Sequence, residues 1–183
     1  PHGGSAISLV DKALALLKVI HKIPMFHGLD SDYTRMVLQS CEFRGMRRGE
    51  AICQFNDQSD EMYILLSGQL GVYNENQLLL ASIDPVAPVG EMGLITGEPR
   101  SATVSTLSDS NLLVLRKVAF DRLLRSNAHL CIQVYRSVIG AMGQRLAESR
   151  TERHRVSQHR NELEQKLSEV EDQVVAMSNG EGR

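Results

Sequence analysis

The spacing of apolar positions changes character twice along the chain. In "ISLVDKALALLKVI", residues 7–20, Val10, Ala13, Leu14, Leu17 and Ile20 recur three and four apart, which predicts an amphipathic helix with those side chains on one stripe. Pro24 and Gly28 interrupt that pattern, and Asp30 or Ser31 then stands as the cap of a second short helix carrying Met36, Val37 and Leu38. From Cys41 to Leu115 the chain breaks into short apolar runs such as "AICQFNDQSD", "EMYILLSGQL" and "ATVSTLSDSNLLVL", with Gly49, Gly68 and the Asn74 to Asn76 cluster at turns. Strands of this length, with no long helices between them, predict an antiparallel sandwich or barrel rather than a parallel sheet.

Past Arg116 the helical period returns. "KVAFDRLLRSN" and "AHLCIQVYRSVIGAMGQRLAESR" predict two helices broken near Asn127, the second running on into "TERHRVSQHRNELEQKLSEVEDQVVAM". There Leu163, Leu167, Val170, Val174 and Met177 alternate four and three apart, which is heptad spacing. Extended backwards, the same register collects Val156, Leu146, Met142, Ile139 and Tyr135, together with the polar Ser149, Arg153 and Arg160. A helix with such a stripe must bury it against something, and no strands remain in this part of the chain to cover it. Self-association as a homodimer is the favoured expectation, with a helix folded back on its own domain as the alternative. The expected class is therefore α+β: N-terminal helices over residues 1–40, a β core with a first hinge helix over 41–126, a long C-terminal helix and coiled coil over 127–177, and a disordered tail over 178–183.

Composition narrows the function. A chain of 183 residues with 42% hydrophobic content suits one soluble domain with a real core plus an appendage. Its net charge of −2 gives no electrostatic footprint for general nucleic-acid binding. Cys41, Cys53 and Cys131 are odd in number and widely spaced, without a CxxC pair, so they suit neither a disulfide framework nor a zinc site and point to a reducing cytoplasm. The first helical stretch carries Asp11, Lys12 and Lys18 and is too short and too charged to span a bilayer. The chain opens on Pro1 rather than Met, so a longer native start is expected.

The chemistry concentrates in "VGEMGLITGEPRSATV", Val89 to Val104. Gly90, Gly93 and Gly97 let the backbone come close to a ligand. "EMGLIT" is the right length for one helical turn, whose first N–H groups face an anion. Arg100 adds a planar fork for two phosphate oxygens, and Ser101 adds a hydroxyl beside it. Glu91 would repel that phosphate, but it suits the hydroxyls of an attached sugar. The turn thus looks built for an anion joined to a sugar, and the absence of GKS, GKT and GxGxxG disfavours a triphosphate loop or a Rossmann site.

"GEMGLITGEPRSATV" closely resembles the phosphate-binding cassette of the cyclic nucleotide-binding domain, the module shared by bacterial catabolite activators, kinase regulatory subunits and cyclic nucleotide-gated channels. The resemblance extends upstream to "GEAICQFNDQSDEMYILLSGQLGVY" and covers roughly Ile23 to Leu146. It implies a jelly-roll barrel or sandwich of that type, flanked by helices, with a long C-terminal dimerisation helix. It also implies that Glu91 accepts the ribose 2′-hydroxyl and Arg100 neutralises the cyclic phosphate, with Gly90, Met92, Ser101 and the Ala102 N–H completing the cradle. Ser101, where Thr is associated with cGMP, favours cAMP. Val72 and Leu80, with Arg145, Ser149 or Arg150 on the C-terminal helix, are the candidates for base contacts. Asn56 departs from the family, which usually has Gly there, but Asn also tolerates a left-handed turn.

No nucleophile, general base or metal cluster accompanies the turn, so no catalysis and no cofactor are expected. His154 and His159 lie five apart on a helix and do not share a face, while His27 and His129 are isolated. After Ala147 the sequence holds only the heptad region and a tail, so DNA reading through a helix-turn-helix is not expected. "RTERHRVSQHR" ahead of the heptads is similar to a basic region, but Glu152 and the acidic zipper half weigh against that use. The favoured function is a cAMP receptor that signals to a protein effector through its coiled coil. A constitutive dimerisation module with a degenerate pocket, and a regulatory fragment of a larger enzyme or channel, are the alternatives.

Overall fold

The computed structural model describes residues 9–58 and 60–180, and side chains over 11–58, 60–144 and 146–168. The chain divides into two compact units, Pro1–Val138 and Ile139–Arg183. In the first, α1 (Leu9–Lys22), a 3-10 turn (Pro24–Phe26) and α2 (Ser31–Gln39) precede eight strands: β1 (Cys41–Met46), β2 (Ala51–Cys53), β3 (Glu61–Ser67), β4 (Leu70–Tyr73), β5 (Leu79–Ile83), β6 (Pro88–Val89), β7 (Thr103–Thr106) and β8 (Ser110–Arg116). The short helix α3 (Glu91–Thr96) lies between β6 and β7, and α4 (Lys117–Ser126) follows β8.

The strands form two antiparallel four-stranded sheets, β1-β8-β3-β6 and β2-β7-β4-β5. Of the two β architectures open at the sequence level the sandwich holds, and the barrel does not: each sheet keeps two edge strands, so no closed barrel forms.

β3 and β8, adjacent in the first sheet, read as nearly continuous apolar runs because both their faces are covered. Met62, Ile64, Leu113 and Leu115 face the helices, where they pack with Ile20, Ile23, Phe26, Val37, Phe120 and Leu130. Their alternates Tyr63, Leu65, Leu112 and Val114 face the second sheet and pack with Cys53, Leu70, Val89 and Val104. One strand pair thus carries both cores, and a period of two sorts the side chains between them.

The helices follow local rules. Asp30 caps α2, its carboxylate accepting the Tyr33 N–H at 3.0 Å. α1 buries a face that agrees with the expected one at Ile20, with Leu17 half-buried, and departs from it at Ala13 and Leu14. Ile20 is buried with Leu16 and Val19 packed beside it, whereas Leu14 is 51% exposed, Ala13 is exposed, and the Val10 side chain lies outside the described residues. The positions 16, 19, 20 and 23 satisfy the same helical period as the predicted set, so periodicity alone cannot choose between the stripes. Contact with the 3-10 turn and α2 selects the one that leads into buried Ile23.

α5 runs Ala128–Gly180 after a break at Asn127, whose side chain accepts the Leu130 N–H at 3.0 Å. Its first turns belong to the first unit, where Leu130, Val134 and Val138 join the helical core. In the second unit Ile139, Met142, Leu146, Val156, Leu163 and Leu167 are exposed, and so are Ser149, Arg153 and Arg160 from the same register. The side chains of Val170, Val174 and Met177 and the tail residues 181–183 lie outside the described residues. Among the described residues no helix is long and apolar enough to cross a membrane.

Two turn glycines separate backbone strain from steric overlap. Gly49 (φ 87°) and Gly68 (φ 95°) both adopt left-handed backbone, but a Cβ at Gly49 meets nothing within 4 Å. One at Gly68 would overlap Ser110 Oγ and lie 2.6 Å from the Asp109 carbonyl oxygen. Gly49→Ala is expected to cost about 1 kcal/mol of stability in urea unfolding, the strain alone. Gly68→Ala is expected to cost about 3 kcal/mol or more, because the β3–β4 turn must also move.

Candidate functional site

The Val89–Val104 turn is held at both ends by β3 and by the loop before it. At its entry, Pro88 and Val89 pair with Ile64 and Tyr63. At its exit, the Arg100 N–H donates to the Asp57 carbonyl at 2.9 Å, and the Arg100 carbonyl accepts the Asn56 N–H at 2.8 Å. Asn56 has φ 68°, so this loop makes its left-handed turn without the glycine usual in the resembled family. Between these anchors Gly90 adopts φ 84° and opens α3, and Gly97 closes it at φ 75° with its N–H on the Gly93 carbonyl.

The chain folds so that Arg100 lies back across Gly90. A Cβ on Gly90 would overlap Arg100 Nη1, so the glycine serves two ends, the left-handed bend and the room for a guanidinium. Arg100 is only 8% exposed. Its Nη2 donates to the Glu61 carbonyl oxygen, and its Cζ stands 5.6 Å from the centroid of the Tyr63 ring. Nε and Nη1 are buried and find no hydrogen-bond partner among the described residues. A guanidinium has N–H donors only and stays charged, so burying it with two nitrogens unsatisfied costs several kcal/mol unless an anion is supplied.

A polar cluster that sequence reasoning missed underlies this arginine. The Glu61 carboxylate accepts two bonds from Arg44, at 2.9 and 3.1 Å, and one from the Tyr63 hydroxyl at 2.7 Å. Arg116 Nε lies 3.4 Å from it, and Arg116 also pairs with Glu42 at 3.2 Å. The Tyr63 hydroxyl further reaches the Ile52 carbonyl at 3.3 Å, and Arg44 Cζ stands 5.7 Å from the same ring. Hydrogen bonding from Arg44 holds the Glu61 carboxyl below the usual carboxylate range, against the opposing effect of burial. Burial, then the bond to Glu61, pushes the Tyr63 phenol up to about 12, so it stays a donor at every physiological pH. Burial also raises the Cys53 thiol, with the nearby Arg100 charge pulling the other way.

The remaining sequence-derived candidates are placed as follows. Glu91 and Met92 open α3 and are half-buried, Ser101 is exposed, and Ala102 is half-buried with its carbonyl 3.9 Å from the Cys53 thiol. Val72 packs against the core between the sheets, whereas Leu80 is 59% exposed on the edge strand β5. The side chain of Arg145 lies outside the described residues, and Ser149 and Arg150 are exposed in the second unit. The fold brings Gly90 and Arg100 into direct apposition. Among the described residues no group of His, Cys, Asp and Glu could hold a metal ion.

Comparison with known proteins agrees with this geometry. Residues 43–127 match the family model of the cyclic nucleotide-binding domain. A cyclic nucleotide-gated potassium channel of Mesorhizobium japonicum is 31% identical over 113 residues, which are 62% of this chain and 31% of the channel. A cAMP-dependent protein kinase regulatory subunit of Yarrowia lipolytica is 30% identical over 115 residues, 63% of this chain and 30% of that subunit. The catabolite activator protein of Thermus thermophilus superposes with a TM-score of 0.62 at 25% identity, over 73% of this chain and 63% of its own. The chain spans about a third of the length of the curated relatives it matches. Domains of this kind regulate rather than catalyse. The cassette turn and nearly all of the two-sheet fold lie within residues 43–127, the stretch that matches the cyclic nucleotide-binding domain.

Proposed function

We propose that the chain is a cAMP receptor that passes ligand binding to a protein effector through a C-terminal coiled-coil dimer. The observation that carries the binding half is Arg100: a buried guanidinium with Nε and Nη1 unsatisfied is a site built for an anion. In this reading the cyclic phosphate completes those donors, the Gly90 and Ala102 N–H groups and the Ser101 hydroxyl share its oxygens, and Glu91 accepts the ribose 2′-hydroxyl. Met92 closes the cradle, and Val72 and Leu80 offer apolar surface to the base. Ser101 in place of Thr favours cAMP over cGMP. Three free cysteines suit a reducing cytoplasm, where such a receptor would act.

Transmission has a physical starting point at α4. The Lys117 ammonium donates to the Leu94 carbonyl near the end of α3 at 3.0 Å and lies 3.3 Å from Asp121. The Lys117 N–H donates to the Asp60 carbonyl at 2.7 Å. The first residue of α4 is thereby tied both to the cassette helix and to the residue beside Glu61, so an anion that shifts the cassette shifts the base of α4. A ligand moves this equilibrium only by its difference in affinity for the two arrangements. The exposed heptad seam of the second unit is the proposed output, with Ser149, Arg153 and Arg160 weakening its middle.

Calorimetric titration tests the ligand. The wild-type chain is expected to bind cAMP more tightly than cGMP. Arg100→Ala is expected to weaken cAMP binding roughly a hundredfold, about 3 kcal/mol, through loss of charge-assisted bonds. Gly90→Ala should produce a loss of similar order, because its methyl displaces the guanidinium. No heat with either nucleotide from folded protein would leave a constitutive dimerisation module as the function. Light scattering tests the dimer: Leu163→Lys with Leu167→Lys should give a monomer, and Arg153→Leu with Arg160→Leu a tighter dimer. A monomeric wild type would remove the coiled-coil output.

A further inference from the structure

From the cluster beneath the cassette we infer that Glu61 is a positioning residue for the anion-binding arginine, acting through Tyr63 and through its own carbonyl, with Arg44 as its counter-charge. The inference rests on the reading of Arg100 as the phosphate-binding group. Three contacts define the place of the guanidinium: the Glu61 carbonyl takes Nη2, the Tyr63 ring lies near Cζ, and Gly90 leaves room for Nη1. Two of these three depend on Glu61. Its carbonyl is the acceptor, and its carboxylate fixes the tilt of the ring by accepting the phenol at 2.7 Å.

The carboxylate also solves a charge problem. Arg44 and Arg100 both approach the Tyr63 ring, at 5.7 and 5.6 Å, so two like charges lie against one aromatic ring. Glu61, with its side chain only 18% exposed, binds Arg44 through both oxygens and leaves Arg100 as the guanidinium whose Nε and Nη1 remain available. Arg116 at 3.4 Å adds a second anchor from the end of β8. Without the carboxylate, Arg44 would lose its partner and the phenol its acceptor. Arg100 would then be free to turn towards other carbonyls, and cyclic phosphate would have to pull it back at the expense of affinity.

The test uses the full chain with Glu61→Gln and Tyr63→Phe, titrated calorimetrically with cAMP. It adds the side-chain Nε–Hε resonance of Arg100 in ligand-free protein labelled at arginine nitrogen, assigned by its loss in Arg100→Lys. Glu61→Gln is expected to raise the Kd about tenfold and Tyr63→Phe about threefold. Both should move or broaden the Arg100 resonance. In the Arg100→Lys background, Glu61→Gln should add less than about twofold, the mark of action through Arg100 rather than through general stability. An equal tenfold loss in that background, or an unchanged Kd and resonance in both variants, would overturn the inference. Should Glu61→Gln fail to fold, Tyr63→Phe decides alone. Should the wild type bind no cyclic nucleotide, the phosphate reading falls, and the Arg100 resonance in the two variants still decides whether Glu61 positions it.

Discussion

A guanidinium buried with two of its nitrogens unsatisfied is the constraint around which the candidate site is arranged. In water Arg100 would be fully solvated; at 8% exposure it must find acceptors within the fold, and the described residues supply one carbonyl and one aromatic face. That shortage is tolerable only because the surroundings forbid the side chain to leave. Gly90 lies against Nη1, β6 ties the turn to β3, and the backbone of residue 100 is bonded on both sides to Asn56 and Asp57. In the proposed reading, the free energy given up in desolvating the arginine would become available to an anion that completes it, as in a preorganised site that binds without large rearrangement.

The same strands that hold the site hold the helices. Tyr63, beneath the guanidinium, and Met62 and Ile64, packed among the helices, are consecutive residues of β3. A displacement of β3 at the site therefore has no slack layer in which to dissipate, since the opposite face of the strand is already close-packed against Phe26, Phe120 and Leu130. β8 repeats the arrangement with Leu112 to Leu115 and ends on Arg116, which reaches Glu61, followed at once by Lys117, which reaches the cassette helix. Site, sheet and hinge helix are thus joined by short covalent steps rather than by a long chain of side chains.

Much of this was legible in the sequence, and the remainder was illegible for identifiable reasons. The short apolar runs gave the strands, and the glycines gave the turns at 49, 68, 90 and 97, because the left-handed backbone is a local demand. The cassette residues stood out because their chemistry lies within one sixteen-residue stretch. The Arg44–Glu61–Tyr63 cluster did not, since Arg44 and Glu61 are seventeen residues apart and meet only because β1 and β3 flank β8. A strand of alternating burial would have exposed Tyr63 as a residue facing inward, but β3 is buried on both faces and shows no alternation. Sandwich and barrel have the same strand pattern, and closure depends on edge pairing that no local signal records. The α1 stripe is legible only in part, at Ile20 and Leu17, for the same reason: two sets of positions fit one period, and only the neighbours choose.

The long helix carries two apolar faces, one of them buried in the domain and one exposed. In its first turns Leu130, Val134 and Val138 are buried in the domain core, while Ile132 and Tyr135, more than 90° around the helix from Leu130, are exposed. A helix needed only to cap the core would carry polar residues on that second face. Instead the exposed apolar positions continue from Tyr135 through Ile139, Met142 and Leu146 at heptad spacing and resume at Val156, Leu163 and Leu167. Ser149, Arg153 and Arg160 break the seam on either side of Val156, and at the two cations a partner helix in the same register would bring like charges together. A seam that is apolar at both ends and charged in the middle is less stable than its length allows. In the proposed dimer, that shortfall would let a shift at the base of α4, worth only as much as the ligand's differential affinity, change how the helices pair.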